Sequence, residues 1–138
     1  MGGLSNECEP LFKPGQEITC HAKAAVKGRQ FVTVVDPIQD GIEVSDKVAG
    51  GNIVVGANVA AKRPFGVAQH DAAAGEKVTV YRGKYILPVQ ASAAAIAAGK
   101  EVEVADTAGT VKVLASGEAV GVALTTAKAS EVVIVALY

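Results

Sequence analysis

Aromatic side chains are nearly missing from this sequence: three Phe, three Tyr and no Trp make up 4% of 138 residues, in a chain that is 50% hydrophobic. A core without bulky rings must be assembled from Val, Ile, Leu and Ala, which suits β-strands but gives each element little area to bury alone. Cysteine is limited to Cys8 and Cys20, with no C-x-x-C spacing. Two thiols do not make the disulfide framework of a small secreted domain, so reduced thiols are expected, with a Cys8–Cys20 bridge as the open alternative. Neither sign of charge is in excess: 13 Lys and Arg against 14 Asp and Glu, a net charge of −1. That balance offers no basic surplus for nucleic acid phosphates or anionic lipid. No apolar run approaches the roughly 20 residues that span a bilayer. The N-terminus lacks the basic and apolar regions of a signal peptide, and Asn6 stands where a myristoylation site needs Ser or Thr. The expectation is a protein made in a cytoplasm, with neither nucleic acid nor membrane as partner.

Groups able to do chemistry are equally sparse. His21 follows Cys20 directly, and neighbours on a strand point to opposite faces, which is poor geometry for one metal ion. His70-Asp71 resembles a base with its orienting carboxylate, but chain neighbours rarely reach that geometry and no nucleophile motif accompanies them. A polar turn, with Asp71 capping Ala72-Ala73-Ala74-Gly75, is the better account. Gly50, Gly51 and Gly56 fit neither a phosphate loop nor a dinucleotide fingerprint. No catalytic, cofactor or metal site is expected, and the chain does not read as an enzyme.

What the sequence does contain is repetition. Phe65-Gly66-Val67-Ala68 is followed by Val78-Thr79-Val80, and Val120-Gly121-Val122-Ala123 by Val133-Ile134-Val135 at the same spacing. Ala98-Gly99-Lys100-Glu101-Val102-Glu103-Val104 in turn echoes Ala74-Gly75-Glu76-Lys77-Val78-Thr79-Val80. Short β-branched runs separated by Gly, Asp, Asn and Pro turns predict an all-β body, a small barrel or sandwich. Hairpins are expected at Arg82-Gly83-Lys84 and at Asp106-Thr107-Ala108-Gly109. One short Ala-rich helix is expected over Ala91 to Ala98, stopped by Gly99.

Domain organisation reads as an extended arm, residues 1–17, and a body, residues 18–138. Pro10 and Pro14 keep the arm from being helical and bracket its one apolar pair, Leu11-Phe12. A frayed terminus is the plain reading; a strap that lays Leu11 and Phe12 on another surface is the sharper one. The closing run Val132-Val133-Ile134-Val135-Ala136-Leu137 is apolar without alternation, so both faces should be covered. Either the Ala-rich helix covers the second face, or a neighbouring copy does; in the latter case Val133, Ile134 and Val135 form a subunit interface.

Several phrases, taken in order, resemble one known family. They are Asn6-Glu7-Cys8, Pro14-Gly15-Gln16-Glu17-Ile18-Thr19, Ala25-Val26-Lys27-Gly28, Pro64 through Val78, Leu87-Pro88-Val89, Ala97 through Val104, Ala119 through Leu124 and Ala136-Leu137-Tyr138. Together they are similar to the capsid cement, or decoration, proteins of tailed bacteriophages. Asp36 to Lys62 matches least. The resemblance implies a β-barrel-like structural virion protein that assembles as a homotrimer on the outside of an HK97-type capsid, with the phage major capsid protein as its partner. Pro10, Leu11, Phe12 and Pro14 would then be the capsid-binding segment. The competing reading is a host-surface or carbohydrate-binding ornament on the virion, which would call for exposed aromatics.

Because every predicted strand lies from Ile18 onward, a protein lacking residues 1–14 should fold and melt close to the full chain. Thermal unfolding followed by circular dichroism checks this, and failure to fold would make the arm part of the body.

Overall fold

A computed structural model describes residues 17–39, 42–44, 47–49, 52–58, 63–107 and 109–138. The first half contains β1 (Glu17–Ala22), β2 (Phe31–Gln39), β3 (Ile42–Val44), β4 (Lys47–Ala49), β5 (Asn52–Ala57), β6 (Gly66–Ala68) and β7 (Lys77–Tyr81). Five of these close a barrel in the order β1-β5-β2-β6-β7, while among the described residues β3 and β4 pair only with each other. The second half contains β8 (Ile86–Gln90), β9 (Glu101–Val104), β10 (Val111–Val113), β11 (Gly121–Ala123) and β12 (Val132–Leu137), in one sheet of order β10-β9-β11-β12-β8.

The two halves are the same design written twice. The pairs Val67↔Tyr81 and Ala68↔Val80 between β6 and β7 reappear as Val122↔Ala136 and Ala123↔Val135 between β11 and β12. Ile18↔Val80 and Cys20↔Val78 between β1 and β7 reappear as Leu87↔Val135 and Val89↔Val133. The bridge Val26↔Ala72 recurs as Ile96↔Ala127, and the parallel β1–β5 contact Ala22↔Val55 as the single bridge Ala91↔Val111. Even the turns match: Glu76 accepts the Ala73 N–H at 2.7 Å and Glu131 the Lys128 N–H at 2.8 Å.

The repeated glycine has a steric cause. A Cβ on Gly66 would lie 2.3 Å from the Tyr81 carbonyl oxygen and 2.5 Å from a Val80 methyl; on Gly121 it would lie 2.4 Å from Ala136 O and 2.6 Å from a Val135 methyl. Only a residue without a side chain lets the two strands cross so closely. The echo between the Gly75 and Gly99 phrases has no such counterpart, since Gly75 leads into β7 and Gly99 into β9, which occupy different places in the two sheets.

Strand alternation places the core. In β1, Ile18, Cys20 and Ala22 point inward, joining Val26, Val32, Val55, Ala68, Val78 and Val80 inside the barrel. Burial pushes the Cys20 thiol up to about 11, so this free cysteine is a core hydrophobe and a poor nucleophile. The second cluster, around Val89, Ile96, Val102, Val111, Val133 and Val135, also takes in Phe31 and Val67 from the first half. Each fully buried Val contributes about 1.5–3 kcal/mol, and the shared cluster makes the two halves depend on one another.

Three expectations change. Ala91–Ala98 is not helical: Ala91 and Ile96 are buried, the N–H groups of Ala91, Ser92 and Ile96 donate to Glu131, Val111 and Ala127 carbonyls, and among the described residues no helix is present. An eight-residue segment has too few internal bonds to nucleate a helix against such long-range partners. Arg82-Gly83-Lys84 is not a hairpin but the link between halves, because β7 pairs with β1 and β6 while β8 pairs with β12. Asp71 does not cap its own turn; its Oδ1 accepts the Gly28 N–H at 2.9 Å. The hairpin across Asp106–Gly109 does form, between β9 and β10.

One buried carboxylate breaks the inward pattern. Glu103 on β9 is 5% exposed and its Oε2 accepts the N–H groups of Ala115 at 3.0 Å and Gly117 at 2.7 Å, with Lys112 Nζ 3.5 Å from Oε1. The Ala115 and Gly117 N–H groups, with help from Lys112, hold this carboxyl below the ordinary glutamate range despite its burial. A lowered folded value means that the stabilisation is fully present above the unfolded glutamate value of about 4.3 and is lost as pH falls through the folded value. Glu103→Gln should therefore melt lower than wild type at pH 7, and the gap should shrink as pH falls below about 4. Calorimetry across that range checks it; a gap that stays constant would separate Glu103 from acid sensitivity.

Candidate functional site

The duplicated fold provides its own control for surface residues, since matched positions share backbone and register and differ only in side chain. On the outward face of the first half, β1 and β7 present Glu17, Thr19 and His21 beside Tyr81, Thr79 and Lys77. On the matching face of the second half, β8 and β12 present Ile86, Pro88 and Gln90 beside Ala136, Ile134 and Val132. Gln69 donates its backbone N–H to Thr79 O, and Leu124 does the same to Ile134 O, so Leu124 stands where Gln69 stood.

The outcome is an apolar sheet face with no charged residue at its centre. Ile86 is 64% exposed, Leu124 48% and Val132 37%, with Ile134, Ala136 and Val122 half-buried between them. Scattered exposed aliphatics are ordinary, but neighbours across three adjacent strands form a patch of the kind that meets another surface.

A second feature is a cleft of about 410 Å³ between the two halves, whose walls include Phe31, Phe65, Tyr81 and Tyr138. Arg82 lies over the Phe65 ring, 4.5 Å from its centroid, and donates to Phe65 O at 2.8 Å. Arg63 and Glu118 pair across the mouth at 2.7 Å. Tyr85 packs against Tyr81 with the rings tilted by 54° and their centroids 4.8 Å apart, and its hydroxyl is pushed up by burial and then by the nearby Glu17 and Tyr81. The Tyr138 hydroxyl donates to Glu101 at 3.0 Å and is raised by burial and by that carboxylate. Few aromatics exist, yet the fold gathers most of them at one seam.

Groups with catalytic potential are held in structural roles. Cys20 faces the barrel interior and His21 its outside. His70 Nδ1 lies 2.9 Å from the Asp71 carbonyl oxygen rather than from its carboxylate. Among the described residues, no three His, Cys, Asp or Glu side chains gather as a metal site would require.

Of the residues singled out from sequence, Val133 and Val135 are fully buried in the chain's own core and Ile134 faces outward at the centre of the apolar patch. Pro10, Leu11, Phe12 and Pro14 lie outside the described residues. Sequence reasoning passed over Ile86, Pro88 and Leu124. Aligning the copies on Gly66 and Gly121 would have exposed Leu124, which stands where the first copy has Gln69; Ile86 and Pro88 stand where it has Glu17 and Thr19, a match that only the sheet register reveals.

Comparison with known proteins agrees with this picture. Among solved structures, the chain is similar to the N-terminal base of head fibre protein gp8.5 of bacteriophage phi29, with a TM-score of 0.62 and 18% identity over 88% of this chain and 92% of that one. At that identity the likeness shows the fold. Comparison with curated proteins gives no match. A family described as phage cement protein matches residues 12–137, and with nearly the whole chain aligned, the protein belongs to the phage cement proteins, a family of capsid-associated structural proteins.

Proposed function

We propose that the protein is a homotrimeric cement that sits on the outside of an HK97-type phage head and clamps major capsid subunits together. The observation that carries this reading is the apolar face centred on Ile134, set against the polar face that the first half shows at matched positions. In a cyclic trimer a patch on one subunit is buried against a different patch on the next, and a charge buried there without a partner is costly. Ile86, Pro88, Val132, Ile134 and Leu124 can be covered without that cost, whereas Glu17 and Lys77 would each need a partner. Family membership supplies the capsid as partner, and the arm supplies a grip. Burying Leu11 and Phe12 of one arm on a capsid subunit contributes about 3–5 kcal/mol before the cost of ordering the chain. One arm alone binds weakly. Three arms on one trimer raise affinity by roughly 10² or more once the first has docked, if the lattice repeats the site.

Two substitutions on one strand separate core from interface. Val133→Asp buries an unpaired charge in the second core, costs several kcal/mol and should unfold the protein. Ile134→Asp should leave a folded chain of lower oligomeric mass by light scattering. Wild-type mass and stability in both variants would remove β12 from either role.

The functional test is titration of purified protein onto undecorated expanded heads, following occupancy and genome release on heating together. Saturable binding with delayed release is expected, and Phe12→Ala should lower occupancy without unfolding the protein. Binding with no gain in head survival would favour the ornament, and unchanged binding after deletion of residues 1–14 would move the capsid contact to the β body.

A further inference from the structure

We propose that the cleft between the two β halves is a resting site for the protein's own N-terminal arm, with Phe12 seated against Phe65, Tyr81 and Tyr138. The inference rests on reading residues 10–14 as the capsid-gripping segment. It adds a second, internal partner for that segment.

The path of the chain leads there. Glu17↔Tyr81 is the pair at the N-terminal end of β1, and Gln69 Nε2 ties both residues, donating to Glu17 Oε1 at 3.1 Å and to Tyr81 OH at 2.6 Å. Tyr81, the partner of Glu17, lines the cleft together with Arg82 and Gly83, so the arm's point of attachment stands at the cleft. Five residues of extended chain, at about 3.3 Å each, give Phe12 a reach of roughly 17 Å from Glu17. The reach is ample.

Chemistry matches the path. A proline-bracketed segment enters a groove in extended or polyproline form at reduced entropic cost, and aromatic-lined grooves are the usual receptors for such segments. Pro10-Leu11-Phe12-Lys13-Pro14 is this chain's proline-bracketed apolar segment. Val120 and Leu137 add aliphatic wall to the cleft. Glu118 on the rim, paired with Arg63 and with its side chain 68% exposed, offers a carboxylate that Lys13 would share once the arm docks. Held there, the arm's two apolar side chains are hidden in the free protein, and a capsid subunit must compete for them.

The chain has no Trp, so Phe12→Trp in the full-length protein gives a single clean reporter. Free in solution, its emission should be blue-shifted and its acrylamide quenching constant several-fold below that of a synthetic peptide of residues 6–16 carrying the same Trp. Both should be independent of protein concentration. Adding Arg82→Ala and Tyr138→Ala, a pair of exposed positions, should restore peptide-like quenching with circular dichroism unchanged. An indole already exposed in the single variant overturns the proposal, and so does a cleft that takes free oligosaccharide while the indole stays exposed. Protection that grows with concentration assigns the cleft to a neighbour's arm, and protection that survives the cleft substitutions assigns the arm to another surface; either result also overturns it. No capsid enters this measurement, so an exposed indole with normal head binding fails the resting site alone, and a protected indole with no head binding fails the cement reading alone.

Discussion

Burial of Phe31 is the interaction on which the rest of the structure depends. It opens β2 of the closed barrel, yet its ring lies in the core of the other half, among Leu87, Val89, Val102 and Val111. Its backbone is committed as well: the Phe31 N–H donates to Gly109 O at 2.8 Å and its carbonyl accepts the Asn58 N–H at 3.0 Å. Neither half has the aromatic bulk to build a deep core of its own. Sharing one large ring and Val67 across the seam lets valine-sized residues fill both sides.

Duplication explains how an apolar face could arise without disturbing that arrangement. Pairing registers are held by backbone groups and by the glycines at 66 and 121, none of which constrains outward side chains. One copy therefore keeps Glu17, Thr19, Gln69 and Lys77 toward water, while the other carries Ile86, Pro88, Leu124 and Val132 at the same places. The inward residues Val78, Val80, Val133 and Val135 hardly differ, because a one-methylene change in a packed interior is felt directly. Divergence is cheap on one side of each strand and expensive on the other.

The same asymmetry decides what could be read from sequence. Short β-branched runs between Gly, Asp, Asn and Pro turns gave the all-β class, and the repeated glycine-valine phrases gave the β6–β7 and β11–β12 units, since both signals are local. The match between β1 and β8 stayed hidden because Thr19-Cys20-His21 and Pro88-Val89-Gln90 share a pattern of burial and no residue. Ala91–Ala98 misled for a related reason: alanine propensity is local, while the N–H partners that overrule it, at Glu131, Val111 and Ala127, lie far along the chain. Ile134 was visible as a candidate interface residue, but its neighbours Ile86 and Leu124 join it only through sheet order, which periodicity does not encode.

The seam between the halves is where this fold would yield first. The Arg63–Glu118 pair that spans the cleft mouth is largely exposed, with side chains 78% and 68% accessible, and such pairs contribute only about 0–1 kcal/mol. The Arg82–Phe65 contact adds about as little at an exposed site. Resistance to separation must therefore come from Phe31, Val67 and the backbone bonds from Phe31 to Gly109 and from Gln90 to the Arg29 carbonyl. Phe31 lies on β2, Val67 on β6 and Gln90 on β8, so the two halves are coupled through the packed interior rather than through surface charge. A molecule built this way keeps its two halves in fixed relation under low salt and high salt alike, because screening weakens only the interactions that contribute least.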